Sequence, residues 1–116
     1  MKQVFVFGSN LAGRHGRGSA YAAKVKWGAK YGVGVGPTGN SYAIPTKDEK
    51  LRVLSIGNIR HYVRDFLLYA ESNPTTEFLV VKIGCGLAGY KEEDIKPLFR
   101  DAPINCKLPK GWRDAS

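Results

Sequence analysis

The chain has 116 residues, 43% hydrophobic and 24% charged, with two cysteines and a formal net charge of +8. That composition fits one ordinary globular domain. It excludes a disulfide framework, a zinc site of Cys/His spacing and any helix of the ~20 apolar residues that span a bilayer.

Met1-Lys2-Gln3 leads straight into an uncharged β run, Val4-Phe5-Val6-Phe7, so no signal peptide is expected. The run enters a glycine-rich loop from Gly8 to Gly18 and then a helix-like stretch from Ser19 to Lys30. Tyr21, Ala22, Val25 and Ala29 fall at helical spacing and are expected to face the core, with Lys24, Lys26 and Lys30 in water and Gly32 as the stop. Val33–Asn40 reads as turn-rich, and Ser41–Ile44 as a strand closed by Pro45. The strongest helix begins at an N-cap, Ser55. Ile56, Ile59, Val63, Phe66, Leu67 and Ala70 repeat at three- and four-residue steps until Asn73-Pro74 ends the run. A buried strand, Phe78–Ile83, follows, then the loop Gly84–Gly89 and a helix over Glu92–Arg100 that must begin late to hold Pro97 in its first turn. A last strand near Ile104–Leu108 precedes a loose tail, residues 109–116, that Trp112 alone would pin. The alternation predicts a single α/β domain over residues 1–116, a three-layer sandwich with a mixed, partly parallel sheet.

Two strand–glycine loop–helix units in one chain carry most of the functional signal. Such loops gather at the carboxyl ends of parallel strands, where ligands bind. Glycine removes the Cβ atoms that block a phosphate, and the helix start offers free N–H groups and a favourable dipole. Gly84, Cys85, Gly86, Leu87, Ala88 and Gly89 are therefore the expected diphosphate cradle, with Tyr90 beside it. Gly8, Ser9, Asn10, Gly16 and Gly18 are the expected second wall. The positive charge predicts attraction to phosphorylated ligands or polyanions. It is scattered, from Arg14 and Arg17 to Lys107, Lys110 and Arg113, so only weak, non-specific nucleic-acid binding follows.

These pieces resemble the macro domain family, most closely the branch that contains the terminal ADP-ribose glycohydrolases. Ile83-Gly84-Cys85-Gly86-Leu87 reads as that branch's phosphate loop does. Gly16-Arg17-Gly18-Ser19-Ala20 before a lysine-rich helix is similar to its first loop. Tyr42-Ala43-Ile44-Pro45-Thr46-Lys47 is similar to the strand that carries its catalytic lysine. The resemblance implies a macro-domain-like fold, ADP-ribose or an ADP-ribosylated substrate as partner, and hydrolysis of an ADP-ribosyl bond at the distal ribose. It departs at Ala88, where the branch has an aspartate, and in lacking the usual N-terminal strand and adenine-reading aspartate.

For chemistry, Asn10 stands where an amide can orient ribose hydroxyls, or can instead close an Asx turn. His15 offers acid–base catalysis near neutral pH if it is not merely an exposed loop residue. Lys47 is a ligand contact or nucleophile, although Asp48 beside it would raise its pKa. Asp48 itself can activate a water. Cys85 reads as small and structural, and no cofactor is implied. Three functions follow: an ADP-ribose-binding hydrolase, a non-catalytic reader or sequestering module, and a basic nucleic-acid-binding domain.

Overall fold

In the computed structural model, which describes residues 1–113, the first apolar run becomes the middle strand of a five-stranded sheet. The elements are β1 (Gln3–Asn10), α1 (Gly18–Lys26), β2 (Gly36–Thr38), β3 (Ser41–Lys47), α2 (Ile56–Glu71), β4 (Glu77–Val80), α3 (Glu92–Ile95), a 3₁₀ turn (Lys96–Phe99) and β5 (Cys106–Lys107). The strand order is β2-β3-β1-β4-β5. β1 runs parallel to both neighbours, β4 parallel to β5, and only the edge strand β2 is antiparallel.

Side chains alternate along β1, which divides the core between two faces. Val4 and Val6 join Ile59, Val63, Phe66 and Ala70 of α2, with Ile95 and Phe99. Phe7, with Phe5 packed alongside, joins Ala20 and Ala23 of α1, Ala29 and Ala43. A helix layer therefore covers each face, giving the three-layer α/β sandwich. The connection through α1 steps from β1 outward to β3, whereas α2 carries the chain back across β1 to β4. Two crossovers of the same hand stepping in opposite directions place their helices on opposite faces. The chain order reverses at β1, so the carboxyl ends of β1 and β4 flank a topological switch point.

α2 is the element that periodicity describes best. Ser55 caps it by accepting from the Asn58 N–H at 3.2 Å, and Ile59, Val63, Phe66 and Ala70 are fully buried. Each large apolar side chain so buried contributes roughly 1.5–3 kcal/mol.

α1 departs from expectation. It ends at Lys26, because Gly28 takes a left-handed conformation with φ +73°. Its buried face is Ala20 and Ala23, while Tyr21 and Val25 remain 51% and 58% exposed. The sheet beneath is aromatic: Phe5 stacks on Trp27 with ring centroids 5.4 Å apart, and Phe7 fills the next position. Bulk on the strand leaves room only for alanine on the helix.

β3 runs through Pro45 to Lys47 rather than stopping before it. β2 pairs with β3 only from Ser41 to Ala43, so on that side Pro45 lies where β3 is already an edge. β2 itself occupies part of the segment expected to be turns. β4 stops at Val80, and Ile83 is buried just beyond it. The last helix divides: α3 closes at Ile95, and Pro97 sits at the start of the 3₁₀ turn, where its missing donor is harmless. The expected loose tail is pinned as far as it is described. Trp112 is 1% exposed, packs on Phe99 and donates its indole N–H to Glu92 Oε1 at 2.9 Å. Residues 114–116 lie outside the described residues.

Candidate functional site

The carboxyl ends of β1, β3 and β4 open into one cleft of about 830 Å³. β1 supplies Gly8, Ser9 and Asn10, and β3 supplies Thr46 and Lys47. The segment after β4 supplies Val81, Lys82 and Gly84 to Ala88, and the end of the first loop with the start of α1 supplies Gly16 to Ala20. The two glycine loops approach closely: a Cβ at Gly18 would lie 3.7 Å from the Leu87 side chain. The juxtaposition expected from sequence is therefore present, and a ligand between the loops would touch both.

Residues with unpartnered backbone donors line this space on two sides. Gly86, Leu87 and Ala88 N–H groups make no bond within the described residues. The loop that carries them is closed by its own ends, Tyr90 N–H to Gly84 O at 2.9 Å and Gly89 N–H to Gly86 O at 3.0 Å. Gly84 makes the bend possible, with φ +75° and Ile95 packed where a side chain would start. Successive free N–H groups of this kind form an anion-binding concavity. Across the cleft, α1 begins with Arg17 as N-cap, no capping side chain and no acid in its first turn. The first N–H groups of an α-helix have no intrahelical partner and carry the positive end of its dipole.

The sequence reading placed a helix N-terminus behind the Gly84–Gly89 loop, and here the structure differs. α3 has four residues, carries Glu92, Glu93 and Asp94 in its first turn, and its cap Lys91 N–H is bonded by Asp94 at 3.1 Å. Its cap donor is taken by its own carboxylate, and its first turn is negatively charged. The helix start that meets the cleft is that of α1.

Charge follows the same pattern. Arg14, Arg17, Lys47 and Lys82 line the cleft, and among the described residues no aspartate, glutamate or histidine does. Lys82 is paired with Glu92 at 3.1 Å, whereas Arg14, Arg17 and Lys47 make no ion pair among the described residues. Unpartnered backbone N–H groups, the start of α1 and cations without an ion pair make a site suited to an anionic group.

The residues singled out for chemistry divide. Asn10 lines the cleft, but its amide is engaged: Oδ1 accepts from the Arg14 N–H at 2.9 Å and Nδ2 donates to the Arg14 carbonyl at 3.0 Å. It closes the loop that presents Arg14. His15 is neither an exposed loop residue nor in the cleft. It is fully buried, Nε2 lies 3.1 Å from the Val33 carbonyl, and the ring meets Phe7 and Tyr31 edge-on. Burial pushes its pKa below 6.5; the bond to Val33 opposes that and nearby Lys24 adds to it. Asp48 does not line the cleft. Its carboxylate accepts from Lys50 and Arg52 N–H, both at 2.9 Å, and pairs with the Arg52 guanidinium at 2.9 Å. Bonding from the Arg52 N–H in particular holds its pKa below the usual carboxylate range. Asp48 is the staple of a turn.

Of the expected ligand residues, Gly89 and Tyr90 also stand outside the cleft, and Tyr90 donates its hydroxyl to the Leu54 carbonyl. Cys85 lines the cleft and is half-buried. Burial raises its thiol pKa, with Glu92 adding to the rise, so it is a poor nucleophile. Arg14, Arg17, Lys82, Tyr31 and Leu51 are cleft residues that the sequence reading did not assign there. The arginines had a usable signal, since they lie within a glycine loop. Tyr31 and Leu51 had none, because only the fold brings their segments to the strand ends.

The first loop is shaped by the segment after α1. Gly34 lies so close to the Asn10 carbonyl that a Cβ there would collide with it. Ser9 Oγ donates to the Gly34 carbonyl, and Gly32 N–H donates to Gly13 O at 2.8 Å. This packing buries His15.

No protein-family model and no curated protein matches the chain. Two solved structures from Bacteroides thetaiotaomicron share its fold. One, described as a protein of unknown function, is 17% identical with a TM-score of 0.64 over 91% of this chain and 85% of its own. The other, an X-ray crystal structure, is 17% identical with a TM-score of 0.63 over 92% of this chain and 88% of its own. At that identity the likeness concerns the fold alone.

Proposed function

We propose that this chain binds ADP-ribose or a related nucleoside diphosphate in the cleft, as a reader or sequestering module. The observation that carries the reading is the pair of opposed donor sets, the Gly86–Ala88 N–H groups and the start of α1, across a cleft lined by cations and no described acid. A diphosphate suits two such cradles, because each end of it meets free N–H groups that no side chain competes for. The resemblance of the Ile83–Leu87 motif to the macro domain phosphate loop supports the same ligand class. No helix among the described residues is long and apolar enough to cross a bilayer.

The geometry supports binding more than hydrolysis. Breaking a glycosidic bond needs a positioned acid, base or nucleophile. Ala88 stands where the resembling branch has its aspartate, His15 faces away from the cleft, and the Asp48 carboxylate is committed to its turn. Lys47 is the only candidate of that set left with a free side chain at the cleft. Titration calorimetry with ADP-ribose, AMP, NAD and single-stranded DNA tests the proposal. ADP-ribose should bind tightest of the four. Binding of DNA alone, with a steep salt dependence, would instead make the chain a nucleic-acid-binding domain.

A further inference from the structure

Three large apolar side chains stand exposed in the cleft: Leu87 on the Gly84–Gly89 loop, and Tyr31 and Leu51, which come from outside both glycine loops. Tyr31 is 57% exposed and Leu51 is 41% exposed, and both line it from segments packed on the β1 and β3 ends. A folded chain gains by burying such groups. Here Tyr31 and Leu51 are instead held in place by other residues.

Leu51 carries the clearest sign. It has φ +64°, and no other non-glycine residue among those described has a positive φ. A branched side chain in the left-handed region is strained and persists only where its surroundings over-determine it. The surroundings here are the Asp48 staple: Leu51 N–H donates to Asp48 O at 3.0 Å, and the Asp48 carboxylate binds the N–H groups on both sides, of Lys50 and Arg52. Glycine, or asparagine at smaller cost, would hold this turn with less strain, yet it presents a leucine to the cleft. Tyr31 is braced similarly. The buried His15 ring meets it at 6.0 Å, and the Lys24 ammonium lies over its ring at 5.4 Å.

We propose that Tyr31 and Leu51 form a base subsite, gripping a planar nucleobase of the ligand while the glycine loops hold its phosphates. This rests on the diphosphate reading above and adds where the base goes. A pre-positioned aromatic ring stacks on any nucleobase at little entropic cost, and a branched aliphatic group completes the apolar wall. Asp48 is then a positioning residue, acting on the ligand only through Leu51.

The test compares ADP with inorganic pyrophosphate, which shares the phosphates and lacks the base. Wild type should bind ADP more tightly than pyrophosphate. Tyr31→Ala should lose about tenfold or more for ADP with little change for pyrophosphate, and Tyr31→Phe should restore most of it. Leu51→Gly should weaken ADP selectively while leaving thermal stability equal or higher, because glycine relieves the left-handed strain. If Tyr31→Ala weakens both probes equally, weakens neither, or if wild type binds ADP no better than pyrophosphate, the base subsite is refuted and the phosphate site stands. If wild type binds neither probe, the diphosphate reading falls and the subsite with it.

Discussion

Replacing Gly86 by valine separates the ligand site from the fold. A Cβ at this position would meet nothing within 4 Å, and its φ lies outside the left-handed region. Folded-state strain is therefore not expected, and losing glycine narrows the unfolded ensemble slightly. The stability change should stay within about 1 kcal/mol. Binding should respond differently. The isopropyl group would stand over the Gly86, Leu87 and Ala88 N–H groups, which have no partner among the described residues. Hydrogen bonds to a charged group are worth about 1.5–3 kcal/mol each. Preventing one of them should weaken ADP-ribose by roughly 10- to 150-fold. Calorimetric titration of wild type and Gly86→Val, with thermal melts of both, reads the two effects separately. A variant that melts like wild type and still binds within threefold would refute the assignment of this loop as the phosphate cradle.

Gly34→Ala should do the opposite: its Cβ collides with the Asn10 carbonyl, so a loss of about 3 kcal/mol or more is expected in denaturant titration. Trp112→Ala should cost about 3–5 kcal/mol by the same measurement, since a buried indole and its bond to Glu92 are both removed. His15 is buried with Nδ1 unpartnered among the described residues, and its pKa is held below 6.5. The unfolded chain therefore takes up a proton before the folded one does. Stability should fall as pH drops through about 6.5 toward the lower folded value, and equilibrium unfolding of His15→Leu should show a shallower slope there. Assays for ADP-ribose release from modified protein or nucleic acid should find none or very slow release. Rapid release abolished by Lys47→Ala would overturn the reader assignment in favour of lysine-led hydrolysis.

The local pattern of residues determined the elements and their order. The three- and four-residue spacing from Ile59 to Ala70 placed α2 and its buried face, and Val4–Phe7 and Phe78–Val80 were legible as strands. Each of those signals needs only one element packed against a large apolar surface, which hydrophobic burial alone enforces. The two glycine loops were legible for the same kind of reason, since composition limits what a backbone can do. Local pattern misjudged α1, where Tyr21 and Val25 carry the stronger hydrophobic signal. The bulk of Phe5 and Phe7 on the opposing sheet, with Trp27 stacked on Phe5, selected the alanine face instead. Tertiary structure also decided which groups meet the cleft. The order β3-β1-β4 brings strand ends together that are far apart in the chain. It places α1, not α3, with its free N–H groups on the ligand space. It folds residues 31–34 over the first loop, burying His15 and delivering Tyr31 to the rim. It leaves the Asp48 staple to turn Leu51 inward. Periodicity reports the face that an element buries. Which loops share a cleft depends on the order of the strands, because in a parallel sheet that order decides which carboxyl ends are neighbours.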